Sequence, residues 1–137
     1  MEAKYAKAIR AGITGSAVIF CVVVLLTVSN MLCVTIFGWL AIIFLLGCVG
    51  ALSVRETSAS TLNDALVVSA VAGVTAAVIN AVGLIAINII ISIIFLSVGS
   101  LLTSIICYTP LALFLGIIFP VIGGGLWHFA RIRGPVK

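Results

Sequence analysis

Charge is the first thing this sequence lacks. Only 7% of its 137 residues are Asp, Glu, Lys or Arg, and 64% are hydrophobic; soluble domains carry about 25% charged residues. From Ala65 to Ala130 there are 66 residues with none of the four. Such a stretch excludes water as the main solvent and makes lipid the medium of the fold. Backbone N–H and C=O groups in lipid must be paired within the protein, so only helices or a closed barrel can span it. The apolar runs are unbroken and do not alternate every second residue, which excludes the barrel.

Other absences narrow the function. The four cysteines, Cys21, Cys33, Cys48 and Cys107, form no C-x-x-C and sit in apolar runs. A disulfide framework or a metal site is not expected, and the cysteines read as small hydrophobes. His128 is the single histidine. It has no Cys, Asp or Glu at ligand spacing and follows Trp127, so the reading is an aromatic-belt position at the membrane surface. No acid or base lies inside an apolar run, which argues against an ion-coupled pump or a voltage sensor. With three acids, one histidine and no nucleophile motif, an enzyme and a cofactor are not expected.

The charges that are present fall in three groups: Glu2, Lys4, Lys7 and Arg10; Arg55 with Glu56 and Asp64; and Arg131, Arg133 and Lys137. No group is a dense basic cluster. They read as cytoplasmic flanks of membrane spans rather than as a nucleic-acid or lipid-binding tail. The basic start followed by an apolar run mimics a signal peptide. It lacks a cleavage site and continues into a second span, so it is expected to be a retained first helix.

The expected architecture is all-α: a polytopic bundle of four transmembrane spans in a single integral-membrane domain. The spans are placed at about 9–28, 32–53, 65–88 and 109–130. Ser29-Asn30 supplies a tight turn and Val54 to Asp64 the one polar connector. Thr61 and Asp64 have capping-box spacing and start the third helix. A helix from Ala65 to Cys107 would be about 64 Å long, twice the hydrocarbon thickness. A break is therefore expected at Gly83, Asn88 or Gly99-Ser100. Residues 89–106 become a re-entrant or interfacial segment, because an even number of spans keeps every charged residue on one side. The expected location is the plasma (cytoplasmic) membrane, with both termini cytoplasmic.

The chain also echoes itself. Ala11-Gly12-Ile13-Thr14-Gly15-Ser16 resembles Ala72-Gly73-Val74-Thr75-Ala76-Ala77, 61 residues on. Leu40, Ile42, Ile43, Phe44 and Gly50 match Leu115, Ile117, Ile118, Phe119 and Gly125, 75 residues on. A tandem duplication of a helical hairpin would give both echoes.

Small residues at steps of three and four mark helix-packing faces: Gly12 and Gly15, Gly47 and Gly50, Gly73 and Gly83, Gly123 and Gly124. Asn80 and Asn88, two turns apart, are the polar candidates inside the membrane. An interhelical hydrogen bond is the plain reading, and a solute or ion site the functional one. Ser97, Ser100 and Ser104 form a mild hydroxyl stripe on the unassigned segment. Pro120 has no N–H for its i−4 carbonyl and marks a kink or hinge.

These features resemble a group of small, glycine-punctuated, four-helix membrane proteins common in archaea. The resemblance lies in a first hairpin ending in Gly47 and Gly50, a short polar turn, the run from Asn63 to Ser69 followed by Ala72-Gly73, a long third segment and a glycine-rich last helix. It implies a four-helix fold and brings no activity or catalytic residue. The expected role is a non-catalytic helix-packing or accessory subunit of a homo-oligomer or a larger membrane complex. Its partners are membrane lipid and itself or another membrane subunit, and no nucleic acid. The alternative is a small channel or carrier for a neutral or weakly polar solute.

Overall fold

Four helices arise directly from the apolar runs. A computed structural model of the chain describes residues 2–29, 32–95, 106 and 109–133. The helices are α1 (Glu2–Ser29), α2 (Leu32–Thr57), α3 (Leu62–Phe95) and α4 (Thr109–Arg133). There is no strand among the described residues. Each helix contains a stretch long and apolar enough to cross a membrane: Ala3–Leu25, Leu40–Thr57, Leu62–Ile94 and Pro110–Ile132.

The tight connection between α2 and α3 is built from local polar chemistry. Ser58 takes a left-handed backbone, φ 51°, and ends α2. Thr61 then caps α3: its hydroxyl accepts from the Asp64 N–H at 3.2 Å, while its carbonyl accepts the first helical bond from Ala65 N–H at 3.0 Å. The Asp64 carboxylate pairs with Lys4 at 2.7 Å, clipping the start of α3 to the start of α1.

This pair sets the direction of the bundle. α1 and α3 run side by side and parallel, with Gly12 against Ala72 and Phe20 against Gly83 further along. α4 returns along α3, so that Gly124 meets Ser69 and Gly116 meets Ala77. α2 and α4 run in the same direction, with Gly50 against Pro120 and Val54 against Gly124. α2 and α3 also touch, whereas α1 and α4 do not among the described residues. The first turn of α1 and the last turns of α2 and α4 therefore lie at one end of the bundle. We call this the polar end, since Lys4, Arg55, Asp64 and Arg131 gather there.

Burial is reversed relative to a water-soluble bundle. Fully buried positions are dominated by Ala, Gly and Ser, with one aliphatic cluster of Ile19, Ile42, Leu46, Val49, Ala72 and Ala76. Large apolar side chains cover the outside, as at Phe44 (72% exposed), Ile93 (70%) and Leu126 (66%). In lipid an exposed Phe or Ile costs nothing, while close helix approach needs small residues. A bundle with this distribution is a membrane protein.

The long third segment differs from expectation. α3 is not broken at Gly83 or Asn88; it continues as one helix to Phe95. At about 1.5 Å per residue its 34 residues reach about 51 Å. Residues 89–95 are thus the end of α3 and not the start of a separate segment. Glycine alone does not stop a helix whose backbone bonds have no water to compete with them. The Asn88 amide donates to the Leu84 carbonyl at 2.9 Å and so satisfies itself within the helix. Gly99-Ser100 and the hydroxyl stripe of Ser97, Ser100 and Ser104 lie outside the described residues.

Candidate functional site

Among the described residues α2, α3 and α4 meet backbone to backbone, and glycine is what lets them meet. A Cβ on Gly50 would overlap the backbone of Pro120, and one on Gly123 would overlap the backbone of Gly47. On the other side of α4, a Cβ on Gly73 would strike the Gly116 carbonyl and the Pro120 ring. Three helices are thus in contact backbone on backbone, the arrangement in which dispersion and weak Cα–H···O contacts replace side-chain packing.

Pro120 has a specific part in this contact. It is buried inside α4, and its missing N–H frees the carbonyl four residues earlier, Gly116. The oxygen of that carbonyl is what a Cβ on Gly73 would strike. The helix continues on both sides of Pro120.

Ser69 is the polar member of the crossing. Its hydroxyl hydrogen is shared between the Ala65 carbonyl of its own helix, at 2.6 Å, and the Gly50 carbonyl of α2, at 3.3 Å. The Gly50 carbonyl also accepts from Ser53 at 2.8 Å. Gly124 leaves the room that Ser69 fills. Ser69 is four residues before Gly73 and so shares its face of α3, but nothing in the sequence distinguishes it as the group that bridges two helices.

The other expected glycines divide by what they touch. Gly12 lies under the Ala72 carbonyl, whose oxygen would be 2.5 Å from an added Cβ. Gly15 faces the Val49 side chain and Gly83 the Phe20 ring. Gly47 is different: its backbone receives Gly123, yet its own Cβ position is 4.0 Å from the nearest atom, the Phe119 carbonyl oxygen. Gly47 opens outward.

Among the described residues Asn80 and Asn88 do not form the interhelical bond expected of them. The Asn80 amide donates to the Ala76 carbonyl of its own helix at 2.8 Å, as Asn88 does to Leu84. Asn80 is buried, 6% exposed, and its Oδ1 has no donor; Asn88 is half-buried. An amide in lipid with no partner nearby satisfies its donor by bonding back one turn.

His128 is also placed differently. It is 6% exposed, and its Nδ1 is buried without a partner. It follows Gly124 by one turn on α4 and so faces the bundle, not the lipid. Trp127 is the residue that faces outward. In a helix, adjacent residues point about 100° apart, so membership of an aromatic belt could not hold for both.

Among the described residues no three His, Cys, Asp or Glu side chains come together in a way that could hold a metal ion. Cys21 is exposed, and Cys48 is half-buried on α2. No known protein family, curated protein or solved structure matches the chain. The resemblance to small archaeal four-helix proteins therefore carries nothing to these residues.

Proposed function

We propose that this protein is a non-catalytic helix-packing or accessory subunit, working as a homo-oligomer or within a larger membrane complex. The observation that supports this reading is the backbone contact at Gly50–Pro120, Gly73–Gly116 and Gly47–Gly123. At that crossing the backbones leave no space for a solute between them. The serines at the centre, Ser16, Ser53 and Ser69, spend their hydroxyls on backbone carbonyls. Because the glycine faces are used inside the bundle, contacts with another subunit would fall on the outer apolar faces.

We place the chain in the plasma membrane with both termini cytoplasmic. The support is the polar end, where basic flanks gather as the positive-inside rule requires. We also read the chain as a duplicated hairpin. What supports this is direction alone: the helices paired by the echoes, α1 with α3 and α2 with α4, run parallel, with Gly12 beside Ala72 and Gly50 beside Pro120.

The second reading, a carrier for a neutral or weakly polar solute, is favoured by the unpartnered Asn80 Oδ1. The test replaces the native cysteines and introduces Asn80→Cys or Asn88→Cys singly. In membranes treated with an impermeant maleimide, the packing reading expects no labelling at position 80, and cross-linking should trap a partner subunit. Rapid labelling at position 80 would move the assignment to the carrier.

A further inference from the structure

The outward opening at Gly47 is part of a groove of about 380 Å³ between α2 and α4. Phe44, Cys48 and Ala51 form one wall, and Phe119, Leu126 and Trp127 the other. Gly47 and Gly123 form its floor. Nearly all of its surface is apolar, and it faces the membrane.

Two cations stand at its polar end. On α2 the wall positions Phe44, Cys48 and Ala51 are followed one turn later by Arg55, at the same helical spacing. On α4, Arg131 follows Trp127 by one turn. Both arginines are exposed. Neither forms an ion pair among the described residues, where the one salt bridge joins Lys4 to Asp64. Glu56 is next to Arg55 and therefore about 100° round the helix from it. The carbonyl ends of α2 and α4 contribute about half a negative charge each, which leaves the two guanidinium groups with a net positive field.

The lengths agree with one leaflet. From Phe44 to Arg55 is 11 residues, about 16 Å along a helix, and half of a hydrocarbon core of about 30 Å is about 15 Å. We propose that the α2–α4 groove is a binding site for an acidic glycerophospholipid. One acyl chain lies along the floor from Ala51 towards Phe44. The phosphate lies between Arg55 and Arg131, where guanidinium groups donate paired hydrogen bonds to its oxygens. A second copy of this chain suits the groove less well. It carries a net charge of +4 and would bring its own basic end against the same two arginines.

The test uses Trp127 as a reporter within the groove. The chain has two tryptophans, so Trp39→Phe leaves Trp127 alone. The protein is reconstituted in phosphatidylcholine vesicles containing equal small amounts of dibrominated phosphatidylglycerol or dibrominated phosphatidylcholine. Quenching should show a preference of about fivefold to thirtyfold for the acidic lipid, the scale expected of one to two basic groups near a membrane surface. Salt should weaken it. Arg55→Gln with Arg131→Gln should abolish the preference, Arg55→Lys with Arg131→Lys should retain most of it, and Ala51→Phe should reduce quenching by both lipids. Equal quenching of the parent protein by both lipids would overturn the proposal, as would a preference that survives the Gln pair or quenching that is undiminished in the plugged groove. Failure of either lipid to quench Trp127 would also overturn it and point to a second copy covering the groove.

Discussion

Two halves of α3 live in different surroundings. From Ala65 to Ala77 nearly every inward position is Ala, Gly or Ser, and neighbouring helices approach within backbone contact. From Val82 to Ile94 the large side chains Val82, Ile89, Ile90, Ile93 and Ile94 are exposed. Both halves are equally hydrophobic to a sequence-based count. The difference teaches that in lipid hydrophobicity says where a helix is, while residue size says what it touches.

The comparison can be broken hardest at the crossing. Gly123→Ala and Gly50→Ala each drive a methyl group into backbone that cannot move without separating helices. Each should cost about 3 kcal/mol, the upper range for overpacking. Gly47→Ala, one turn from Gly50 on the same helix, meets open space and should cost no more than about 0.5 kcal/mol. The midpoint of detergent-driven unfolding would read both, and equal losses at positions 47 and 123 would refute the crossing as drawn.

Smaller effects should follow in order. Ser58→Gly relieves a left-handed residue and should raise stability by about 1 kcal/mol, read as a shift of the same midpoint. Ser69→Ala removes a shared hydrogen bond and should cost about 0.6 kcal/mol, the usual worth of a polar contact between membrane helices. Ile93→Ala in the open half should change stability by less than about 0.5 kcal/mol, since its side chain faces lipid in the folded bundle. A larger loss there would mean that another subunit covers this face.

Much of the fold could be read from residues alone. The helices follow from charge-free runs in a medium that allows no unpaired backbone. The start of α3 was legible in Thr61 and Asp64, whose cap forms as their spacing requires. The packing role of Gly50, Gly73, Gly123 and Gly124 was legible in their steps of three and four. The course of α3 past Gly83 was not, because glycine breaks helices only where water can take the freed groups. The burial of His128 was not legible either: its neighbour Trp127 faces outward, but one residue is about 100° of rotation.

What the sequence by itself determined is the solvent, the helical class and the end at which charge collects, because each depends on composition summed over long stretches. Only the tertiary structure decided which glycine receives a backbone and which opens outward, and that Ser69 bridges α3 to α2. Those outcomes depend on the rotation and offset of one helix against another. Apolar runs specify neither, since lipid accepts any apolar face equally, and only close contact between small residues makes one arrangement better than the rest.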